Sequence, residues 1–262
     1  MEECLRWCMS FLNIESVALE DEKEKIGYFK DIKLLEIFQS EISRDNNKTL
    51  TRDQVRAKLN IPSQWYLNDT KTDRNFTPEI LDKFDVGDCL TPETAMYQRA
   101  VVPVYDENNI YVGCLGRTLV DSPNKWKNEK NFHKENYLYG LNFASQAILE
   151  SGIVNIVEGQ SCIWRLHEAD FINSVGIFGA ELSNNQLLLL EKSGAMTLII
   201  LTDNDEAGNK AANKIINKCG RRFNYIRPEL PKKDISELTV DLTKEFLGEL
   251  YAKYNCPMWK KG

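Results

Sequence analysis

The sequence predicts an α/β fold: a parallel sheet flanked by helices, preceded by a mixed α+β N-terminal subdomain. Three observations carry this. Four short apolar runs, at 153–157, 175–178, 198–201 and 223–226, alternate with helix-length stretches, which is the pattern of β-α-β crossovers in a sheet buried on both faces. Upstream, apolar runs at 100–105 and 110–115 flank the polar tetrapeptide Asp106-Glu107-Asn108-Asn109 and read as a strand–turn–strand hairpin. The composition, 42% hydrophobic and 27% charged over 262 residues, is that of a folded chain able to bury a core without staples.

Taken in order, residues 1 to about 45 read as helical, with an apolar stripe at Trp7, Phe11 and Leu12 and a solvated charge run at 20–25. Thr51 caps a short helix that stops before Pro62. Residues 68–75 hold no apolar side chain and read as a loop, after which Thr77-Pro78 opens another helix with proline in its first turn. The hairpin follows, then a polar, basic stretch from Arg117 to Lys134 with five basic against two acidic side chains. Helices are predicted around 161–170, 183–193 and 206–218, between the apolar runs. The expected organisation is a helical region and linker over 1–75, a subdomain with a basic groove over 76–145, the α/β domain over 146–240, and a C-terminal helix and tail over 241–262.

Charge and cysteine usage narrow the possibilities. The net charge of −6 means that any nucleic-acid role must come from a local basic patch rather than from the whole field. No apolar run is long enough to span a membrane, and the acidic start Met1-Glu2-Glu3 does not resemble a secretory signal, so a cytoplasmic protein is expected. Seven scattered cysteines with no C-x-x-C pair argue against a disulfide framework. Cys4 and Cys8 share a helix face but lack partner ligands for zinc.

The acids fall in an informative place. Ligands of open parallel sheets bind beyond the carboxyl ends of the strands. There the first run ends in Glu158-Gly159, the third in Asp203-Asn204-Asp205-Glu206-Ala207-Gly208, and the loop after the fourth contains Asp234. Like charges so placed repel by about 4 kcal/mol per pair at 4 Å and an effective dielectric of 20. A hard cation such as Mg2+ or Mn2+ offsets that cost, and it keeps open positions for water and phosphate. Residues 203 and 205 share a face of an extended segment, while Gly159 and Gly208 suggest tight turns beside the site. Each feature alone has a plain explanation, since a glutamate often ends a strand and Asp205 or Glu206 could cap the next helix. Their joint occurrence on one sheet edge favours a site.

A strand-ending Glu-Gly followed by Asp-x-Asp resembles the topoisomerase–primase (Toprim) domain. The segments Arg99-Ala100-Val101-Val102-Pro103-Val104, Gly113-Cys114-Leu115-Gly116-Arg117, Lys125-Trp126-Lys127-Asn128, Phe132-His133-Lys134 and Leu138-Tyr139-Gly140-Leu141 follow in an order similar to the catalytic core of bacterial and phage DnaG-type primases. The likeness covers about residues 76 to 240. It implies a Toprim-type sheet in which Glu158, Asp203 and Asp205, assisted by Asp234, hold Mg2+ or Mn2+. It also implies nucleotidyl transfer that makes short RNA primers on single-stranded DNA from ribonucleoside triphosphates, with a replicative helicase as a candidate partner.

Arg117 and Lys134 match family positions for nucleic-acid or nucleotide contact, as do Lys125 and Arg99, and Lys127 belongs to the same basic 117–134 stretch and is expected to share that contact. Trp126 could stack on a base or pack on the sheet, and His133 falls beside phosphate-binding positions. His167 reads as a packing or surface residue rather than a site residue. Two departures stand out. Where the family usually carries an aspartate four residues past the glutamate, this chain has Cys162, a poor magnesium ligand that is either inert and half-buried or activated at a helix start. The family's zinc ribbon and helicase-contacting region are not legible in these residues. The alternatives are a Toprim-family nuclease, which has no need of the 117–134 block, and a catalytically degenerate nucleic-acid-binding module.

Overall fold

The computed structural model describes residues 50–68, 74–220 and 222–257. The chain divides into compact units at 1–48 and 49–262, and all described residues lie in the second. The helical reading of 1–45, Cys4 and Cys8 fall outside the described residues, as does most of the expected 68–75 loop.

Thr51 opens α1 (Arg52–Arg56) with a capping box: its hydroxyl accepts from the Gln54 N–H while the Gln54 side chain accepts from the Thr51 N–H. Arg52 and Arg56 then close on the fully buried Asp85, with Arg52 Nε donating at 2.7 Å and Tyr105 donating to the same carboxylate at 2.8 Å. Helix α2 (Gln64–Leu67) is capped by Ser63 and α3 (Pro78–Lys83) by Thr77, with Pro78 in the first turn as expected.

The first sheet is antiparallel, in the order β1 (Gly87–Cys89), β2 (Arg99–Tyr105), β3 (Tyr111–Thr118) and β4 (Trp126–Asn128). The β2–β3 hairpin turns where expected. Asp106 accepts from the N–H groups of Asn108 and Ile110, and Asn109 takes φ 63°, a left-handed residue that asparagine tolerates. Across the register Ala100 faces Arg117, and Arg117 faces Trp126.

A turn through Gly140 (φ 82°) starts α4 (Leu141–Ser151), one continuous helix across the division expected at 146. The second sheet follows, with β5 (Ile153–Val157), α5 (Gln160–Glu168), β6 (Ser174–Gly176), α6 (Asn184–Lys192), β7 (Thr197–Ile200), α7 (Glu206–Cys219) and β8 (Asn224–Ile226). All its strand pairs are parallel, in the order β6-β5-β7-β8. Helix α8 (Val240–Lys253), capped by Thr239, closes the described chain. No described helix is long and apolar enough to cross a membrane.

Strand alternation sorts the core into two layers. Val154, Ile156, Leu198 and Ile200 pack with α4, α6 and α7 through Ile148, Leu190 and Ile215. Ile153, Val157 and Ile199 pack with α5, α8 and the inner face of the first sheet, through Trp164, Leu247 and Val102. The two sheets therefore share one core, and the carboxyl ends of β5 and β7 open towards β3 and β4.

Candidate active site

Glu158 follows β5 directly, and Asp203 lies three residues beyond β7. Because the two strands are adjacent and in parallel register, their carboxyl ends meet: the Asp203 N–H donates to Glu158 Oε1 at 3.3 Å. Both side chains are partly buried. Burial, with Asp205 and Asp234 adding repulsion, raises the Glu158 carboxyl. Burial and the neighbouring Glu158, Asp234 and Asp205 charges push Asp203 up to about 6. Neither side chain has an ion-pair partner within 4.0 Å among the described residues. Two carboxylates close together and desolvated, with Arg227 and Lys233 acting on them only from beyond ion-pair distance, suit a hard divalent cation by donor chemistry and by charge.

The other two acids are turned to different uses. Asp205 caps α7, accepting from the Gly208 N–H at 2.9 Å, and lies 3.6 Å from Lys233. That hydrogen bond, helped by Lys233, lowers its carboxyl. Asp234 is buried, paired with Arg74 at 2.7 Å, and accepts from the Ser236 N–H and hydroxyl. Asp205 and Asp234 thus each have a partner of their own, while their charges still act on Glu158 and Asp203. Among the described residues no three acidic, histidine or cysteine side chains are gathered closely enough to hold a metal. Asp205 keeps an extended backbone, and as N-cap its side chain is used by the unpaired N–H groups at the start of α7. Glu158 and Asp203 remain as an open edge of two carboxylates, which is what magnesium commonly takes from a protein.

The glycines differ as well. A Cβ on Gly208 would lie 2.0 Å from the Asp203 carbonyl oxygen, so only glycine fits there. Gly159 is different: it has an ordinary extended φ of −114° and open space around it, so it leaves room in the cleft rather than forming a tight turn. Cys162 is buried, with its thiol 3.8 Å from Asp234. Burial and the Asp234 charge push its thiol up, which favours the inert reading.

A cleft of about 390 Å³ joins this edge to the first sheet. Glu158, Gly159, Asp203 and Asp234 line one side; Arg117, Trp126, Asn128 and Lys134 line the other. Arg117 and Trp126 are cross-strand partners, and so are Leu115 and Asn128, so alternation turns all four to the same face. The Arg117 guanidinium lies 4.9 Å from the Trp65 ring and 5.6 Å from the Trp126 ring. Lys134 donates to the Phe178 carbonyl at 2.9 Å, and the Gly179 N–H donates to the Glu158 carbonyl at 3.1 Å, so one loop after β6 joins the lysine to the glutamate.

The same alternation sends Arg99 and Lys127 to the opposite face. Arg99 faces Thr118 across the register and donates to the Gly116 carbonyl, while Lys127 faces Gly116 and donates to the Ala95 carbonyl. Lys125 is exposed before β4 and does not line the cleft. Arg117 and Lys134 are therefore the expected basic residues that the structure brings to the acids. His133 is exposed and pairs with Glu135. His167 is buried between the Phe84 and Phe143 rings, a packing role rather than a surface one.

Two arginines at the site were not anticipated. Arg74 lies in a segment without periodicity. Arg227 directly follows β8 and donates to the Asp203 carbonyl at 3.2 Å and to the Pro228 carbonyl at 3.0 Å. The rule that found Glu158, to inspect the first residue past a parallel strand, would have found Arg227 too.

Residues 152–227 match the sequence family of the Toprim domain. The DNA primase of Campylobacter jejuni is 34% identical over 120 residues, 44% of this chain and 20% of that protein. The DNA primase of Aquifex aeolicus is 34% identical over 177 residues, 55% of this chain and 35% of that one. The solved zinc-binding and RNA polymerase domains of the Aquifex aeolicus primase superpose with a TM-score of 0.64 at 24% identity, covering 77% of this chain and 59% of that one. A DnaG primase catalytic domain solved bound to single-stranded DNA gives a TM-score of 0.60 at 20% identity, covering 77% and 76%. The chain is similar to DnaG-type primase cores, with the Toprim match over 152–227.

The Toprim match begins at Gly152, just before β5, and ends at Arg227, just past β8, so it contains Glu158, Asp203, Asp205 and Arg227. Arg117, Lys134, Asp234 and Arg74 are supplied by flanking parts of the core. The chain spans only a fifth to a third of the length of the first curated relatives it matches.

Proposed function

We propose that this core joins ribonucleotides into short primers on a single-stranded DNA template by metal-dependent nucleotidyl transfer. The observation that supports it is one cleft with Glu158 and Asp203, a carboxylate pair that lacks a direct ion-pair partner, on one wall and Arg117 and Lys134 on the other. Glu158 and Asp203 would hold the Mg2+ or Mn2+ ion. When bound, that ion supplies activation of the attacking 3′-hydroxyl and neutralises charge on the departing pyrophosphate. Arg117 and Lys134 bind the polyanionic template and triphosphates, and Lys134 is oriented by its bond to the Phe178 carbonyl. Arg227 fixes the Asp203 backbone through that residue's carbonyl. A cytoplasmic location and contact with a replicative helicase belong to the same reading.

The test is to incubate the chain with single-stranded DNA, labelled ribonucleotides and Mn2+. Short oligoribonucleotides should form, and Glu158→Gln should reduce them by about 100-fold or more, the effect of removing roughly 2.7 kcal/mol of transition-state stabilisation. Shortening of labelled template in place of synthesis would make the chain a nuclease. One observation favours a second reading, a module that binds DNA without reacting. Cys162 stands at the usual aspartate position and Asp234 is held by Arg74, so DNA binding with no product would select it.

A further inference from the structure

The four carboxylates at the sheet edge divide by what neutralises them. Asp205 has Lys233 at 3.6 Å and the α7 N-terminus. Asp234 has Arg74 at 2.7 Å, and its other oxygen accepts from the Ser236 N–H, the Ser236 hydroxyl and the Cys162 thiol. Glu158 and Asp203 have no cationic partner within 4.0 Å among the described residues. Building on the reading above, we propose that Arg74 supplies the positive charge at the Asp234 end of the cleft, so that the chain takes a single divalent ion, on Glu158 and Asp203.

Arg74 is anchored rather than incidental. Just beyond it, Arg165 donates to the Asn75 carbonyl, Glu168 accepts from both the N–H and the hydroxyl of Thr77, and the Arg165 guanidinium lies 5.1 Å from the Phe76 ring. Glu237 adds a second carboxylate 3.9 Å from the Arg74 guanidinium. An ion seeking Asp234 would have to displace a guanidinium from a buried carboxylate and strip it of good hydrogen bonds. It would also find no hard ligand in Cys162, since sulfur suits softer metals than magnesium or manganese. The guanidinium and the thiol thus fill, without metal, the end of the cleft where two more acids would otherwise invite an ion.

Counting bound Mn2+ by the loss of the free-ion paramagnetic resonance signal tests this without relying on turnover. The wild-type chain should bind one ion. Asp234→Asn should leave its affinity within about twofold, whereas Glu158→Gln or Asp203→Asn should weaken it by about tenfold or more. Arg74→Gln should admit a second ion and Arg74→Lys should not, with urea unfolding in chelator confirming that each variant is folded. Two ions on the wild-type chain, or an Asp234→Asn loss as large as that of Glu158→Gln, would overturn the Arg74 proposal while leaving the carboxylate-pair reading intact. No Mn2+ on the wild-type chain, or binding indifferent to Glu158→Gln, would overturn the carboxylate-pair reading and the inference with it.

Discussion

Replacing Asp203 by asparagine should stabilise the metal-free protein at neutral pH, although it removes a site residue. In the folded chain Asp203 titrates at about 6 against an ordinary 3.8, chiefly through burial and then through Glu158. Between those pH values the folded state holds more protons than the unfolded state. Stability therefore falls as pH rises from about 4 to 6 and stays at the lower level above that. The full shift corresponds to about 3 kcal/mol, but Asp203 is only half-buried, and solvent screening reduces the expectation to about 1 kcal/mol. Asparagine keeps the shape and removes the charge, and no described hydrogen bond to the Asp203 side chain is lost. Urea unfolding followed by tryptophan fluorescence, with the fully buried Trp164 among the reporters, should show Asp203→Asn more stable than wild type by about 1 kcal/mol at pH 8 in chelator. The difference should vanish below pH 4. Mn2+ should reverse the ranking, adding about 2.7 kcal/mol to the wild type at 100 times its dissociation constant and much less to the variant. A variant less stable than wild type at pH 8 without metal, or equal stabilisation of both by Mn2+, would refute the reasoning.

Gly208→Ala would push a methyl group against the Asp203 main chain at 2.0 Å; it should cost about 3 kcal/mol in urea unfolding, outweighing the helix-propensity gain of under about 1 kcal/mol, and should weaken Mn2+ binding as well. Arg117→Ala should weaken single-stranded DNA binding and reduce its salt slope by about 0.7 to 1, as read by fluorescence anisotropy across a salt series, with Mn2+ affinity unchanged. Glu168→Ala would strand the nearly buried Arg165 partner and release Thr77; chemical unfolding should register a loss of about 3–5 kcal/mol.

The parallel sheet was legible because its apolar runs are long enough to show their period and are separated by helix-length stretches. The hairpin was legible because a polar turn divides two apolar strands. Strands β1 and β4 were not: Gly87–Cys89 is too short to show alternation, and Trp126–Asn128 is three residues with no buried position, within a basic stretch. Glu158 and Asp203 could be found from strand ends alone. Asp205 could not be settled, since the same Asp-x-Asp spacing serves a metal or a helix cap, and the folded chain shows it in use as the cap of α7. Lys127 was grouped with Arg117 because a charge count over 117–134 does not know register, and Arg99 by its likeness to a family position; one residue of register turns a side chain to the other face. Arg74 reaches Asp234 across 160 positions of sequence, a pairing that only the folded chain reveals.

The most direct test of the central claim is a crystal of the chain soaked in Mn2+ and measured for anomalous scattering. One peak between the Glu158 and Asp203 carboxylates, with Arg74 still on Asp234, is the predicted result. A peak seated on Asp234, or an empty cleft at saturating Mn2+, would contradict it.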